Sequence, residues 1–328
     1  MNMCILPDGY IFAAPGTFYS DGKNNDAATL THDLQQDISG IKEFLQEGDV
    51  IVVDRGYRDC APFLNELGLR VEMPRCLQRN SKQHSTEDAN ASRKVTITRW
   101  KVEARNGHIK TIFKFFAKTL YAGDVPYAGE YFQIACTIIN AYRPVIPAAN
   151  ETEEVANQLI ARRHRNNEVM DFVLNNNLIS HRVSGWQLME DIELEEFPRL
   201  THDELIDLTL GEYQIRMAAG YNAEVEDAEG DREFHVARVN RTLLRACLRS
   251  RHVNSKQYYQ FISFVPDGNG TEAIQGWYCT CVTGARTLGM CSHTCAILWY
   301  LCIDRYGPDM KRPKRRLLNI AMDAGVRD

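Results

Sequence analysis

A chain of 328 residues with 44% hydrophobic and 25% charged residues has the composition of a globular protein and the material for roughly two cored domains. A formal net charge of −5 excludes a globally basic nucleic-acid coat, so any nucleic-acid contact must come from local basic patches. No apolar run approaches the ~20 residues of a membrane span, the start MNMCILPDGY lacks the pattern of a secretory signal, and ten cysteines without such a signal argue for reduced thiols.

Residues 2–6 and 10–14 are short apolar runs around Pro7-Asp8-Gly9. They predict a hairpin with a tight turn, in which Asp8 is a turn residue. FYSDGKNND then reads as a polar loop. A helix is predicted over about 26–44, with Asp26 as its N-cap or first-turn acid.

The stretch GDVIVVDRGYRD at 48–59 follows. Val50 to Val53 is a β-branched run that suits a strand buried on both faces. It stops at Asp54, before Arg55-Gly56-Tyr57. An acid at the C-terminal end of a buried strand is where open α/β sheets place their chemistry, although such an acid can also do no more than start a turn. Residues 59–67 have helical spacing and 69–73 form another short strand. The order strand, strand, helix, strand, helix, strand describes a mixed α/β sheet.

Residues 76–83 read as a loop, and Ser85-Thr86-Glu87-Asp88 offers a capping-box pattern. The helix it opens runs to about 116, with Val95, Val102, Ile109, Phe113 and Phe116 as its buried stripe. Arg99, Glu103, Asn106 and Lys110 lie on an adjacent face. Glu103 either points back at the sheet or makes an exposed pair with Arg99, worth about 0.3–0.5 kcal/mol. Gly107 marks a close approach of backbones or a kink.

Residues 131–142 predict a core helix and PVIPAANETEE a linker. A helix over 151–176 carries the basic knot Arg162-Arg163-His164-Arg165, another spans 205–221, and 224–231 is an acidic loop. The period then turns toward two, so 241–251, 258–265 and 273–281 predict three strands.

Three acids of the first half converge on one end of this sheet if the second hairpin strand runs parallel to the Asp54 strand: Asp54, Glu103 and Asp26. Clustered carboxylates repel unless a cation sits between them. Mg²⁺ or Mn²⁺ does this with few carboxylates plus phosphate oxygens, and a pair of such ions can cleave a phosphodiester.

GDVIVVDRGYRD, STEDANASRKVTITRWKVEARNGHIKTIFKFF and YFQIACTIINAYRP together resemble the DDE superfamily endonuclease domain of Harbinger/PIF-type transposases. The resemblance covers about residues 1–145. It implies an RNase H-like fold, a metal-binding Asp-Asp-Glu triad and cutting and rejoining of DNA. Asp54 resembles the second acid of that triad and Glu103 the third; Asp26 resembles an additional acid near the site. The first acid has no match here. The expectation is therefore either a fragment of a longer protein or a transposase derivative that has lost catalysis.

In the second half, Cys279-Thr280-Cys281 and Cys291-Ser292-His293 read C-x-C-x9-C-x-H. Two cysteines at i and i+2 on a strand share a face. Three sulfurs and an imidazole match the closed tetrahedral site of structural Zn²⁺; the alternative is four reduced core residues. Cys295 falls outside the pattern and is expected to pack in the helix core. The spacing resembles a SWIM-type zinc finger over about 278–301, which implies DNA or protein binding. Arg241, Arg245 and Arg249 fall on one face and could neutralise phosphates, or form a solvated charged face. Lys311-Arg312-Pro313-Lys314-Arg315-Arg316 resembles a nuclear localisation signal or a nucleic-acid patch.

The expected organisation is an endonuclease domain at 1–145, a helical connector at 146–230 and a small α+β zinc module with a basic tail at 231–328. DNA is the expected partner, a protein partner is a further option through the zinc module, and the nucleus is the expected location. The competing expectation is a domesticated, non-catalytic DNA- or protein-binding zinc protein.

Overall fold

The computed structural model describes residues 3–15, 17–19, 21–37, 39–146, 152–162, 164–180, 186–188, 194–211, 213–215, 217–218, 235–249 and 256–306. The chain divides into two compact units. One comprises residues 1–76 and 91–160, the other 77–90 and 161–328.

In the first unit, β1 (Cys4–Ile5) and β2 (Ile11–Ala13) form the predicted antiparallel hairpin. Gly9 turns it with a left-handed φ of 83°, a conformation open to a residue without Cβ. Tyr10 N donates to the Asp8 carboxylate at 2.9 Å, so Asp8 is indeed a turn residue. The side chain of Asn140 caps the edge of β2 as a strand would. Its Nδ2 donates to Ile11 O at 2.8 Å, and its Oδ1 accepts from Ile11 N at 2.9 Å.

α1 (Asp26–Gln36) is capped by Asn25, whose side chain accepts from Ala28 N; Asp26 is the acid of the first turn. The helix ends at Asp37, with φ 51°, rather than at 44. Buried Asp33 accepts from the backbone N and the hydroxyl of Ser39, which pulls the chain out of helical register.

β3 (Val50–Val52) and β4 (Arg70–Glu72) pair in parallel, linked by a 3-10 turn at Arg55–Cys60 and by α2 (Ala61–Glu66). The predicted order of elements holds, but the hairpin and the parallel pair are separate two-stranded ladders, not one mixed sheet. Nor is β3 buried on both faces: Val50 is exposed, and burial begins in earnest only at Val53.

α3 (Thr86–Ile112) opens with Asp88 N donating to Ser85 Oγ at 3.1 Å. It buries Val95, Ile109 and also Arg105, while Val102 is only half-buried. Open space surrounds Gly107, so no backbone approaches there. A 3-10 turn at Lys114–Ala117 replaces the last predicted helical turn. α4 (Ala128–Tyr142) buries Phe132, Ala135, Cys136 and Ile139 but exposes Tyr131, Ile134 and Ile138, so it is a one-sided helix rather than a core one.

Two apolar clusters meet at the hairpin. One joins Ala13 to Leu30, Leu34 and Leu64, and the other joins Ile11 to Ile109, Phe132 and Ile139.

The helix predicted over 151–176 is two: α5 (Thr152–Arg162) and α6 (Glu168–Asn175). The cause is Asn167. Its Oδ1 caps α6 at Met170 N, and its buried Nδ2 donates to Trp277 O and Ala285 O. α7 (His202–Thr209) carries a complete capping box between Thr201 and Glu204. It stops at left-handed Leu210, earlier than predicted.

The second unit is built on an antiparallel sheet in the order β5 (Gln187–Leu188), β6 (His235–Asn240), β7 (Leu243–Arg249), β8 (Gln257–Phe264) and β9 (Ile274–Cys279). The last three are the predicted strands; the first two were not anticipated. Side chains alternate across the sheet with period two. Leu244, Ala246, Leu248, Ile262 and Phe264 pack with Leu205 of α7 and with α8 (Ser292–Cys302). Leu243, Phe261 and Tyr278 face Val173 of α6.

The linker at 147–151, the acidic stretch at 219–234 and the basic tail lie outside the described residues. No helix among the described residues is long and apolar enough to cross a membrane.

Candidate functional site

β9 delivers Cys279, and the chain then folds back on itself. Gly284 N donates to Cys281 O and Cys279 N to Gly284 O, each at 3.0 Å. Cys281 thus reaches the site through a tight knuckle beyond the strand end, not through the strand pleat. A Cβ at Gly284 would stand 2.0 Å from Cys279 O, so the knuckle requires glycine.

Cys291 is the N-cap of α8, with Thr294 N donating to its Sγ at 3.5 Å. His293 lies in the first turn, with Nδ1 4.0 Å from Cys279 Sγ. All four ligand atoms of Cys279, Cys281, Cys291 and His293 lie within 4.8 Å of one another. Tetrahedral Zn²⁺ with bonds of ~2.3 Å to sulfur and ~2.0 Å to nitrogen sets donors about 3.5–3.8 Å apart. The donor set and its spacing fit that ion. Cys295 is fully buried in the core on α8 and outside the set, as expected.

The electrostatics suit a cation at this site. Burial pushes the Cys279 thiol well up. Burial acts the same way on Cys291, but the hydrogen bonds it receives from Cys279, Cys281 and His293 outweigh it and hold that thiol well below its usual range. A divalent ion bound there would favour the thiolate form of all three cysteines. Buried Arg286 faces Cys291, Cys281, Cys279 and Cys295 and donates to Met290 O.

The acids of the first unit are arranged differently. Asp54 caps the 3-10 turn after β3, with Oδ1 accepting from Gly56 N at 2.8 Å. Asp26 reaches the same glycine: a Cβ on Gly56 would stand 2.7 Å from Asp26 Oδ2 and 3.0 Å from Asp54 Oδ1. Burial, and then these two carboxylates, push the Tyr57 phenol up. Glu103 meets Asp54 only through Arg99, whose guanidinium pairs with Glu103 and lies 3.7 Å from Asp54 Oδ2.

The exposed Arg99–Glu103 pair foreseen as an alternative is therefore present, extended to Asp54. Among the described residues, Cys279, Cys281, Cys291 and His293 are the only group of three or more possible ligands close enough to share an ion. As arranged, Arg99 stands between Asp54 and Glu103, where it competes with a cation for both carboxylates.

The arginine row is dispersed. Arg241 is exposed in the turn between β6 and β7. The side chain of Arg249 lies outside the described residues. Arg245 corrects the expectation of a phosphate contact, because it is buried. The pleat of β7 sends it toward the α6 side, where its guanidinium lies 4.3 Å from the Tyr259 ring centre and 5.2 Å from that of Trp186, and Nη2 donates to Ile179 O.

Residues 3–140 match the family model described as DDE superfamily endonuclease. That stretch contains the hairpin, Asp26, Asp54, Arg99 and Glu103. That stretch is thus similar to DDE superfamily endonucleases, and the same chain holds a Cys3His cluster whose donor set suits zinc. No curated protein and no solved structure matches it.

Proposed function

We propose that this is a transposase-derived zinc protein that engages DNA in the nucleus, with a Harbinger-type DDE unit and a SWIM-type zinc finger. The observation that carries this reading is the Cys3His cluster, complete in donor set and spacing, in the same chain as the endonuclease match. DNA is the substrate a nuclease domain implies. Zinc would be held by Cys279, Cys281, Cys291 and His293 and would serve structure, since all four positions are protein ligands.

The pairing of Arg99 with Asp54 and Glu103 favours a second reading within the first, a protein that binds DNA or a protein partner without cutting. Purified chain incubated with supercoiled plasmid and Mg²⁺ or Mn²⁺ separates the two. Nicking that disappears in Asp54→Ala establishes the enzyme. Salt-dependent retardation of DNA that persists in Asp54→Ala, with no nicking, establishes the binder. Absence of both leaves protein contacts as the role of the zinc unit. Metal analysis should find about one Zn per chain, reduced in Cys279→Ser.

A further inference from the structure

The zinc knuckle is held from outside by a stretch of chain about two hundred residues away. Gln83 Nε2 donates to Cys279 O at 2.7 Å and to Cys281 O at 2.6 Å, the carbonyls of two ligand residues. Its Oε1 accepts from Tyr278 OH at 2.9 Å. Next to it, His84 N donates to Val282 O at 2.9 Å, adding a backbone rung to the same turn.

Six residues on, fully buried Asn90 closes the other end of the loop. Its Oδ1 accepts from Thr287 N and Leu288 N at 2.9 and 3.0 Å, and its Nδ2 donates to Thr287 Oγ1 at 2.9 Å. These residues lie inside the stretch that matches the endonuclease family, yet they belong to the second compact unit.

We infer that the segment 77–90 is the outer shell of the zinc site, with Gln83 its positioning residue. The proposal rests on the zinc reading above. A carboxamide that bridges the carbonyls of Cys279 and Cys281 fixes the peptide planes between the two thiols, and so fixes where the sulfurs point. Outer-shell partners of this kind typically carry 10- to 100-fold in metal affinity.

The coupling is reciprocal. A segment that favours the ligating knuckle must itself be ordered by the ion. Zinc therefore does more than close a finger: it anchors residues 83–90, the lead into α3.

The test uses the full chain. Zinc affinity is measured by competition with a chromophoric chelator for wild type and Gln83→Ala. Amide hydrogen exchange is followed in wild type with and without zinc, comparing the peptide over 83–90 with the α1 peptide. The expected results are an affinity lowered by about 10- to 100-fold in the variant and a zinc-dependent protection of 83–90 that α1 does not share.

Variant affinity within twofold of wild type, or exchange at 83–90 indifferent to zinc, overturns the proposal while leaving the zinc site intact. A wild-type chain that takes up no zinc overturns the zinc reading, and the proposal with it. The exchange comparison stands even if Gln83→Ala fails to fold.

Discussion

At the scale of single residues, the acid site is a balance between Arg99 and a cation. The Arg99 side chain is 24% exposed and its partners Asp54 and Glu103 are 41% and 45% exposed, so solvent screens both pairs and each is worth at most ~1 kcal/mol. Together they weaken cation binding by at most about thirtyfold without forbidding it. Arg99→Ala should therefore bind Mn²⁺ more tightly than wild type in a titration calorimeter, by up to about thirtyfold, and Arg99→Ala with Asp54→Ala should lose the gain. An unchanged Mn²⁺ isotherm in Arg99→Ala would show that the acids do not form a cation site even when freed.

Arg286 plays the converse part. Zinc with three thiolates and a neutral imidazole carries one net negative charge, and the buried guanidinium beside it supplies the compensating positive one. Arg286→Met should lower zinc affinity while Arg286→Lys retains more of it, as read by chelator competition.

His108 supplies a pH dependence. Burial, and then Arg105 and Arg143, hold its imidazole below its ordinary range. The unfolded chain thus takes up the proton more readily, so stability is full above about pH 6.5 and falls as pH drops below it. Urea midpoints measured at descending pH should show this fall, and His108→Gln should flatten it.

At the scale of elements, turns and caps decide more than propensity does. Gly284 lets the chain reverse between Cys281 and the loop to Cys291, where a methyl group would overlap Cys279 O. Gly284→Ala should disrupt the knuckle, cost roughly 3 kcal/mol or more and release zinc; metal analysis and a urea titration on the same sample would check both. α6 begins where it does because Asn167 caps it and ties it to Trp277 and Ala285. The local signal for that break is the pair Asn166-Asn167, an N-cap type of residue set inside a run that carries helical spacing on both sides. In β6, a short strand becomes one because β7 pairs with it, from Val236 against Ala246 to Asn240 against Leu243.

At the scale of the molecule, the two units have separate cores and, among the described residues, only the second holds a zinc-type cluster. Removing zinc with a chelator in reducing buffer should therefore lower one calorimetric transition and leave another in place, because the binding free energy of a structural ion is folding free energy for the part that holds it. A single transition that is unmoved by chelation would contradict a structural role for the ion.

Sequence by itself determined what depends on near neighbours. The hairpin follows from its Pro-Asp-Gly turn, the last three strands from their period of two, and the four candidate metal ligands from their spacing, because i, i+2 pairs lie within reach of one ion once the chain turns. Asp26, Asp54 and Glu103 were legible as acids at the ends of elements. What stands beside them was not: Arg99 came into view as a helix-face partner of Glu103, and only the folded chain carries it to Asp54.

Tertiary structure alone decided the burial of Arg245 among aromatic rings, the separation of the hairpin from the parallel pair, and the grip of Gln83 and Asn90 on the zinc loop. Each of these depends on contacts between residues far apart in the chain. A local pattern records which face of an element is apolar but not what comes to cover it.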